Sequence, residues 1–374
     1  MAVEQNVTPP PPTTTPKVLH QSKTPTHPKR IYHRKKPIKE KGTIDTILVV
    51  NPNSASGLTG KGWNDLYSEI KGVLGSSVEV ALTKKAGDGT TLTRQFLKQG
   101  FKKVVAIGGD GTLNEVANGF FEEPVGIHSN KINGGRAAAE FPPFKPINPD
   151  AVMGVVPAGT RNVLAKSLGL PEGVANCCRK FQLGKPKKID VIYATVTSQE
   201  DHSSTTSRIF LNAAEMGVAA EIIERSKKVR QVVNSRIVST ITSIAATLPT
   251  YQSNECEISI GTNGKKFTIK MTMAVVANGQ FLGGGFKVAP HASMSDGLLD
   301  LVILKDSGSL KMIDELINMK DGDYNEEDNI TYRQTMKVSL ISKERDVTVT
   351  VDGEPIGILP ATFEVIRNAL TVKM

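Results

Sequence analysis

The chain has 374 residues, 39% hydrophobic and 22% charged, with 46 Lys/Arg against 37 Asp/Glu and a formal net charge of +9. That length supports two domains with cores of their own, no apolar run is long enough to cross a bilayer (residues 237–248 come nearest, broken by Ser and Thr), and no signal-peptide core stands at the N-terminus. Cys177, Cys178 and Cys256 make neither a disulfide framework nor a zinc spacing, so a cytoplasmic location is expected.

The basicity belongs to one segment. Residues 1–41 hold nine Lys/Arg against two acids and eight of the 21 prolines. Such a stretch buries too little apolar surface to offset ordering entropy, so 1–42 reads as a disordered basic tail. Its cluster Lys29-Arg30, Arg34-Lys35-Lys36 would attract an anionic membrane. A nucleic-acid reading rests on that tail alone, because the remaining chain is near neutral and the whole sequence has a single Trp.

From Thr43 the pattern changes. Residues 44–50 predict a buried strand ending in Asn51-Pro52-Asn53-Ser54-Ala55-Ser56-Gly57. A helix is expected over 62–74, a strand over 78–83, then Gly87-Asp88-Gly89 and a helix over 90–99. Val104, Val105, Ala106 and Ile107 make a third strand running into Gly108-Gly109-Asp110-Gly111-Thr112-Leu113-Asn114-Glu115. The next helix carries Leu113, Val116, Ala117 and Phe120 on one face. Residues 124–150, rich in Gly, Pro and Asn, read as an inserted surface loop. A fourth strand over 152–156 leads to Pro157-Ala158-Gly159-Thr160-Arg161-Asn162 and a helix through Leu168. This repeated strand–turn–helix order predicts an α/β nucleotide-binding domain over 43–187 with a mostly parallel sheet, its loops converging beyond the carboxyl ends of the strands.

Past residue 187 the texture is β-rich. Strands are expected at 189–197, 207–214, 255–260, 266–277, 297–304, 335–342 and 347–351, with helices over 219–248 (divided near Asn234-Ser235) and 310–319. They predict a C-terminal antiparallel β-sandwich domain over 188–374, with a cleft between the two domains. The first helix carries Arg225, Lys227, Lys228, Arg230 and Arg236, a basic face suited to a membrane surface.

The glycine turn after the third strand lets backbone N–H groups approach an oxyanion with no Cβ in the way, and the helix start adds partial positive charge. Asp110 is its unusual member. A carboxylate among phosphates is repulsive unless a divalent cation lies near, so the loop argues for a metal–nucleotide complex. Walker A spacing fails at 55–62, where Ala55 and Gly62 fill the wrong places, and the dinucleotide fingerprint fails at Asn114. Asn51 and Ser54 offer an amide and a hydroxyl to a nucleotide, and Gly159-Thr160 offers small and hydroxyl groups at another helix start. Downstream stand Gly283-Gly284-Gly285, Pro290, and Asp296-Gly297-Leu298-Leu299-Asp300. Asp296 with carbonyls at Ser293 and Leu298 makes an oxygen-rich place for a hard cation such as Mg²⁺. Asp352-Gly353-Glu354 follows the last of these strands and, read locally, is a hairpin turn. His291 is assigned no role.

In their order and spacing, Asn51-Pro52 with Ser54 and Gly57, Thr83 with Gly87-Asp88, Gly108 to Glu115, Gly159-Thr160 with Asn162, Gly283 to Gly285, Asp296 to Asp300 and Asp352 to Glu354 resemble the diacylglycerol kinase catalytic-domain superfamily, which includes bacterial soluble lipid kinases and sphingosine kinases. The resemblance covers the chain from about residue 44 onward, outside 124–150. It implies that Thr83, the loop Gly108, Gly109, Asp110, Gly111, Thr112, Leu113, Asn114, and Thr160 bind ATP, with Asp110 organising the nucleotide's metal. Ser293, Asp296 and Leu298 would hold Mg²⁺. Glu354 would be the proton acceptor, with Asp352 beside it in the catalytic turn. The implied activity is transfer of the γ-phosphoryl group of ATP to a diacylglycerol-like or sphingoid-type lipid hydroxyl, serving lipid metabolism and phospholipid biosynthesis. Its implied partners are a lipid substrate at a membrane surface and a peripheral membrane contact, with no specific nucleic acid and a homodimer as one open assembly.

Three departures stand out. Arg161 fills a place often held by a small residue, the 124–150 insertion is unusual, and the returning C-terminal segment of some relatives is expected to be absent. The rivals are an NAD kinase, which also uses a Gly-Gly-Asp-Gly loop, and a non-catalytic nucleotide- or lipid-binding regulator.

Overall fold

Strands β1 (Thr46–Val50), β2 (Glu79–Leu82), β3 (Lys103–Gly108) and β4 (Val152–Pro157) pair in parallel in the order β2-β1-β3-β4. The structure, a computed structural model, describes residues 45–122, 145–229, 242–244, 246–262, 264–324 and 329–374. Helices α1 (Leu58–Lys61) and α2 (Trp63–Leu74) follow β1, α3 (Asp88–Lys98) follows β2, α4 (Asp110–Asn118) follows β3, and α5 (Val163–Ser167) and α6 (Val174–Leu183) follow β4. Ile47, Leu48, Val49 and Val50 are all fully buried because both faces of the sheet are covered. Alternation decides which face each serves. Ile47, Val49, Val104 and Ala106 pack with Phe96 and Leu97 of α3 and with Leu113, Val116 and Ala117 of α4. Leu48, Val50, Val105 and Ile107 pack with Ile70 of α2 and with Cys177, Cys178 and Phe181 of α6. Each such aliphatic side chain contributes about 1.5–3 kcal/mol by leaving water.

The C-terminal half is antiparallel. Strands β5 (Pro186–Thr197), β6 (Thr205–Phe210) and β7 (Ala213–Gly217) lead into α7 (Val218–Val229), then β8 (Asn254–Ile260), β9 (Lys265–Ala277), β10 (Leu299–Lys305) and α8 (Ser309–Asp321). β11 (Ile330–Thr335), β12 (Lys337–Ser342), β13 (Thr348–Val351) and β14 (Glu354–Lys373) complete the chain. Phe210 meets Phe363 edge to face at 6.2 Å inside a core that also holds Ile192, Met216, Ile258, Leu301 and Val349. A second apolar layer, with Val275, Val302 and Leu304 on the strands and Met312, Leu316 and Met319 on α8, covers the outer face of β9 and β10.

β14 is where the sequence reading is corrected most. It is the longest strand, pairing along most of its length with β5 and reaching β4 in parallel at Val372–Met153. Leu370 and Val372 are buried in the α/β core. The returning segment expected to be absent is therefore present as β14, and it joins the two sheets into one path. Gly357 and Pro360 inside it hid the strand from a reading by pattern.

Three further corrections have local causes. The strand expected over 207–214 breaks at Leu211-Asn212, whose N–H groups are taken by the Asp352 carboxylate rather than by a neighbouring strand. The strand expected over 335–342 divides at Met336, so β11 pairs with β10 while β12 pairs with β14 and β8. Helix α6 has no counterpart among the expected elements, although Val174, Cys177, Cys178 and Phe181 share one helical face. The tail 1–42 lies outside the described residues, as do 123–144 of the insertion and 230–241 of the long helix, including Arg230, Asn234-Ser235 and Arg236. The described ends of the insertion meet, with Phe121 bridging Pro146. No helix among the described residues is long and apolar enough to cross a membrane.

Candidate active site

The parallel strands β1, β3 and β4 deliver three loops to one place. Gly108 ends β3 and Gly109 is extended (φ −87°, ψ −179°) before α4 begins at Asp110. A Cβ on Gly108 would sit 2.6 Å from the Thr112 side chain, and one on Gly159 would sit 2.3 Å from the Cα of Gly109. The two loops thus touch backbone to backbone, which glycine alone permits. Ala158 N–H donates to Gly108 O at 2.8 Å. From the β1 loop, Asn51 Nδ2 donates to Thr112 Oγ1 at 3.0 Å, and from α1 Thr59 Oγ1 donates to Ala158 O at 3.1 Å. In the same loop Ala55 (φ 51°) and Ser56 (φ 58°) are left-handed, a conformation costing about 1–3 kcal/mol each without glycine. Thr83, buried at the end of β2, ties its N–H to Val50 O at 2.8 Å. The first-turn N–H groups of α4 have no partner within the helix and face this junction.

Asp110 leaves the loop toward α5, where Leu164 N–H donates to its Oδ1 at 3.0 Å. Burial pushes its pKa up, opposed by that N–H and by the Arg161 guanidinium, while Asp352 adds to the upward push. Asp352 comes from the other half of the chain. Its Oδ2 accepts from Asn114 Nδ2 (2.7 Å) and Leu211 N–H (3.0 Å), and its Oδ1 from Asn212 N–H (2.9 Å) and Ala213 N–H (3.1 Å). Burial raises its pKa too, against four donors that favour the anion. Its φ of 47° and the 83° of Gly353 form the sharp turn that presents Glu354. A Cβ on Gly111 would lie 4.0 Å from Glu354 Oε1, so the carboxylate of Glu354 faces the start of α4.

Asn114 is buried, and its amide is spent within the protein: Nδ2 also donates to Ile209 O, and Oδ1 accepts from Arg208 and Asn118. It couples α4 to β6 and to the Asp352 turn. Glu115 serves similarly, accepting Gly87 N–H and Gly89 N–H at 2.9 Å across the start of α3. A small cavity of about 20 Å³ lies at the junction, lined by Asp110, Arg161, Asn212, Glu215, Gly283 and Asp352 among others. Arg161, Asn212 and Glu215 were not read as site residues. Glu215, buried on β7 with Thr350 Oγ1 donating to it at 2.8 Å, shows itself only as a lone charge inside an apolar strand.

Ser293, Asp296 and Leu298 do not line that cavity. Their loop is fixed by the buried Asp190, which accepts Gly297 N–H and Asn368 N–H at 2.7 Å. Asp296 is exposed, its Oδ1 accepting Leu298 N–H at 2.9 Å, and Ser293 lines a separate cavity of about 240 Å³. Among the described residues no group of three His, Cys, Asp or Glu side chains could hold a metal ion. One carboxylate with backbone carbonyls fits only a hard cation whose remaining positions are filled by water.

Residues 45–194 match the diacylglycerol kinase catalytic domain, and residues 212–374 match the YegS C-terminal NAD kinase beta sandwich-like domain. The diacylglycerol kinase of Bacillus subtilis is 25% identical over 316 residues, covering 84% of this chain and 91% of that protein. A YegS-like protein of Chromohalobacter salexigens is 28% identical over 323 residues, covering 83% and 87%. In fold, the chain is similar to the crystal structure of a diacylglycerol kinase from Bacillus anthracis, with a TM-score of 0.60 at 19% identity and coverage of 88% and 96%.

Proposed function

As the chain belongs to the diacylglycerol kinase catalytic-domain family and is a lipid kinase, we propose that it transfers the γ-phosphoryl group of ATP to a lipid hydroxyl in the cleft where Asp110 and the Asp352–Glu354 turn meet. The observation that carries this reading is the 2.7 Å hydrogen bond from Asn114 to Asp352, which locks the glycine loop of one half to the acidic turn of the other. The glycine loops supply N–H donors to the phosphates, and Thr83 and Thr160 add hydroxyls for the nucleotide. Asp110 is the residue to hold the nucleotide's Mg²⁺, which supplies charge neutralisation; Ser293, Asp296 and Leu298 would hold a second, structural ion.

Phosphoryl transfer asks the protein for positioning and for a place to put one proton. Glu354, beside the α4 N-terminus, takes the proton from the lipid hydroxyl as its oxygen attacks. Asp352 positions that turn. The lipid enters from a membrane surface, and the exposed Arg225 and Lys228 of α7, together with the basic tail, favour an anionic one.

The test is transfer of labelled phosphate from ATP to mixed lipid vesicles, with NAD offered in parallel. Glu354→Gln should lower kcat by about 10²–10⁴-fold while leaving ATP binding intact. Anionic vesicles should be the better substrate at low salt and lose that advantage at high salt. Unchanged turnover by the Gln variant would remove Glu354 as the base, and label in NAD but not in lipid would remove the lipid acceptor.

A further inference from the structure

We propose that Arg161 grips the phosphoryl group in transit, its guanidinium contacting the non-bridging γ-phosphoryl oxygens of ATP. This rests on the kinase reading above and names a residue that reading leaves without a part. Arg161 sits on the loop between β4 and α5, half-buried, and its head enters the small cavity beside Asp110, Glu215 and Asp352. Its charge acts on the Asp110 carboxylate, and no hydrogen bond from its guanidinium joins it to another described residue. A guanidinium carries five donors, and leaving them unused in a partly enclosed place is costly unless a ligand takes them.

The protein makes room for that head. A Cβ on Gly353 would lie 3.0 Å from it, and one on Gly283 would lie 3.3 Å away, so side chains at either place would press on the guanidinium. Gly353 also precedes Glu354, so the guanidinium lies against the turn that carries the proton acceptor. Arg161 also favours the Asp110 anion, a role that uses its charge and leaves the planar fork of donors for a ligand.

The chemistry explains the need. The acceptor oxygen forms its bond to the γ-phosphorus while the bond to the β,γ-bridging oxygen breaks. The electron pair leaves with ADP, and the acceptor's proton goes to Glu354. Throughout, negative charge is spread over three equatorial oxygens, which a planar fork of N–H donors matches better than a point charge.

The decisive measurement is binding of ADP with aluminium fluoride and Mg²⁺, which mimics the group in flight and needs no lipid. In the full-length parent, fluoride should tighten ADP binding by roughly tenfold or more, and Arg161→Ala should abolish that gain. In turnover the same variant should lose about 10²–10³-fold in kcat with KM for ATP changed only a few-fold, and added guanidinium should restore part of the rate. Arg161→Lys should still lose roughly tenfold, because charge survives and the fork does not. Equal fluoride enhancement in parent and Arg161→Ala, or turnover within threefold of the parent, overturns the proposal. Should Arg161→Ala not fold, parental turnover by Arg161→Lys overturns it instead. A parent that tightens on ADP with fluoride but phosphorylates no lipid sinks the lipid reading and leaves Arg161 in place.

Discussion

The two sides of the junction between Asp110 and Asp352 are built by different means. On the glycine side, Gly108, Thr112, Asn51 and Gly159 are placed by parallel strands whose loops follow directly in sequence, and their contacts are close packing with one neutral side-chain hydrogen bond, from Asn51 to Thr112. On the acidic side, Asp352 is held by N–H groups of Leu211, Asn212 and Ala213, about 140 positions earlier in the chain. The first side therefore depends on fit and the second on hydrogen-bonded charge. Substitutions on the two should fail in different ways.

The largest effect is expected at Asp352. Removing its carboxylate leaves three backbone N–H groups and the Asn114 amide without their acceptor, so Asp352→Ala should cost about 3–5 kcal/mol in urea unfolding. Asn114→Ala should cost less. The double variant should show a coupling of roughly 1–3 kcal/mol, because the two side chains bond to each other. Additive losses would mean that the halves are not joined through this pair.

On the glycine side, Gly159→Ala should cost about 1–3 kcal/mol, since the new methyl meets the Gly109 backbone rather than a side chain that can turn away. Its signature differs from that of Asp352. KM for ATP should rise several-fold because the glycine loop is displaced, while the denaturation midpoint falls less than in Asp352→Ala. A variant with parental KM would separate the two loops functionally and weaken the comparison.

The same contrast governs what a reader of the sequence can see. The α/β half was legible because strand, glycine turn and helix start are contiguous, so Asp110 and Thr112 could be placed without knowing anything remote. The meeting of the Asp352 turn with the glycine loop followed from the family resemblance, but its anchoring did not, because its partners Leu211 to Ala213 lie inside a stretch that reads as an unbroken strand. Arg161 stands out in the sequence as a large residue where a small one is usual, but its neighbours Gly283 and Gly353 come from remote segments, and a glutamate in Ala213-Ala214-Glu215-Met216 has no local pattern to mark it. Asn114 was read as a nucleotide ligand, and burial shows its amide committed to Asp352 and Ile209, a distinction no spacing encodes.

The smallest expected effect extends the comparison to a charge that has no such set of donors. Asp300 is fully buried on β10; its Oδ1 accepts from Tyr332 Oη and from Gln334 Nε2, and its Oδ2 has no hydrogen-bond partner. Burial pushes its pKa up and the nearby Asp296 adds to this, against the hydrogen bonds from Tyr332 and Gln334 and the charge of His291. A raised carboxyl pKa means that the folded state holds the proton more tightly than the unfolded chain. Its contribution is then fully present below the unfolded value near 3.8 and is lost as pH rises through the folded value. Asp300→Asn keeps an acceptor for Tyr332 and Gln334 and removes the charge. The variant should be about 1 kcal/mol more stable than the parent at pH 8, and that advantage should shrink as pH falls toward 4. Thermal melting of both proteins across that range measures it. A gap that stays constant with pH would show that Asp300 keeps its charge in the fold, and that the two donors Tyr332 and Gln334 suffice where Asp352 uses four.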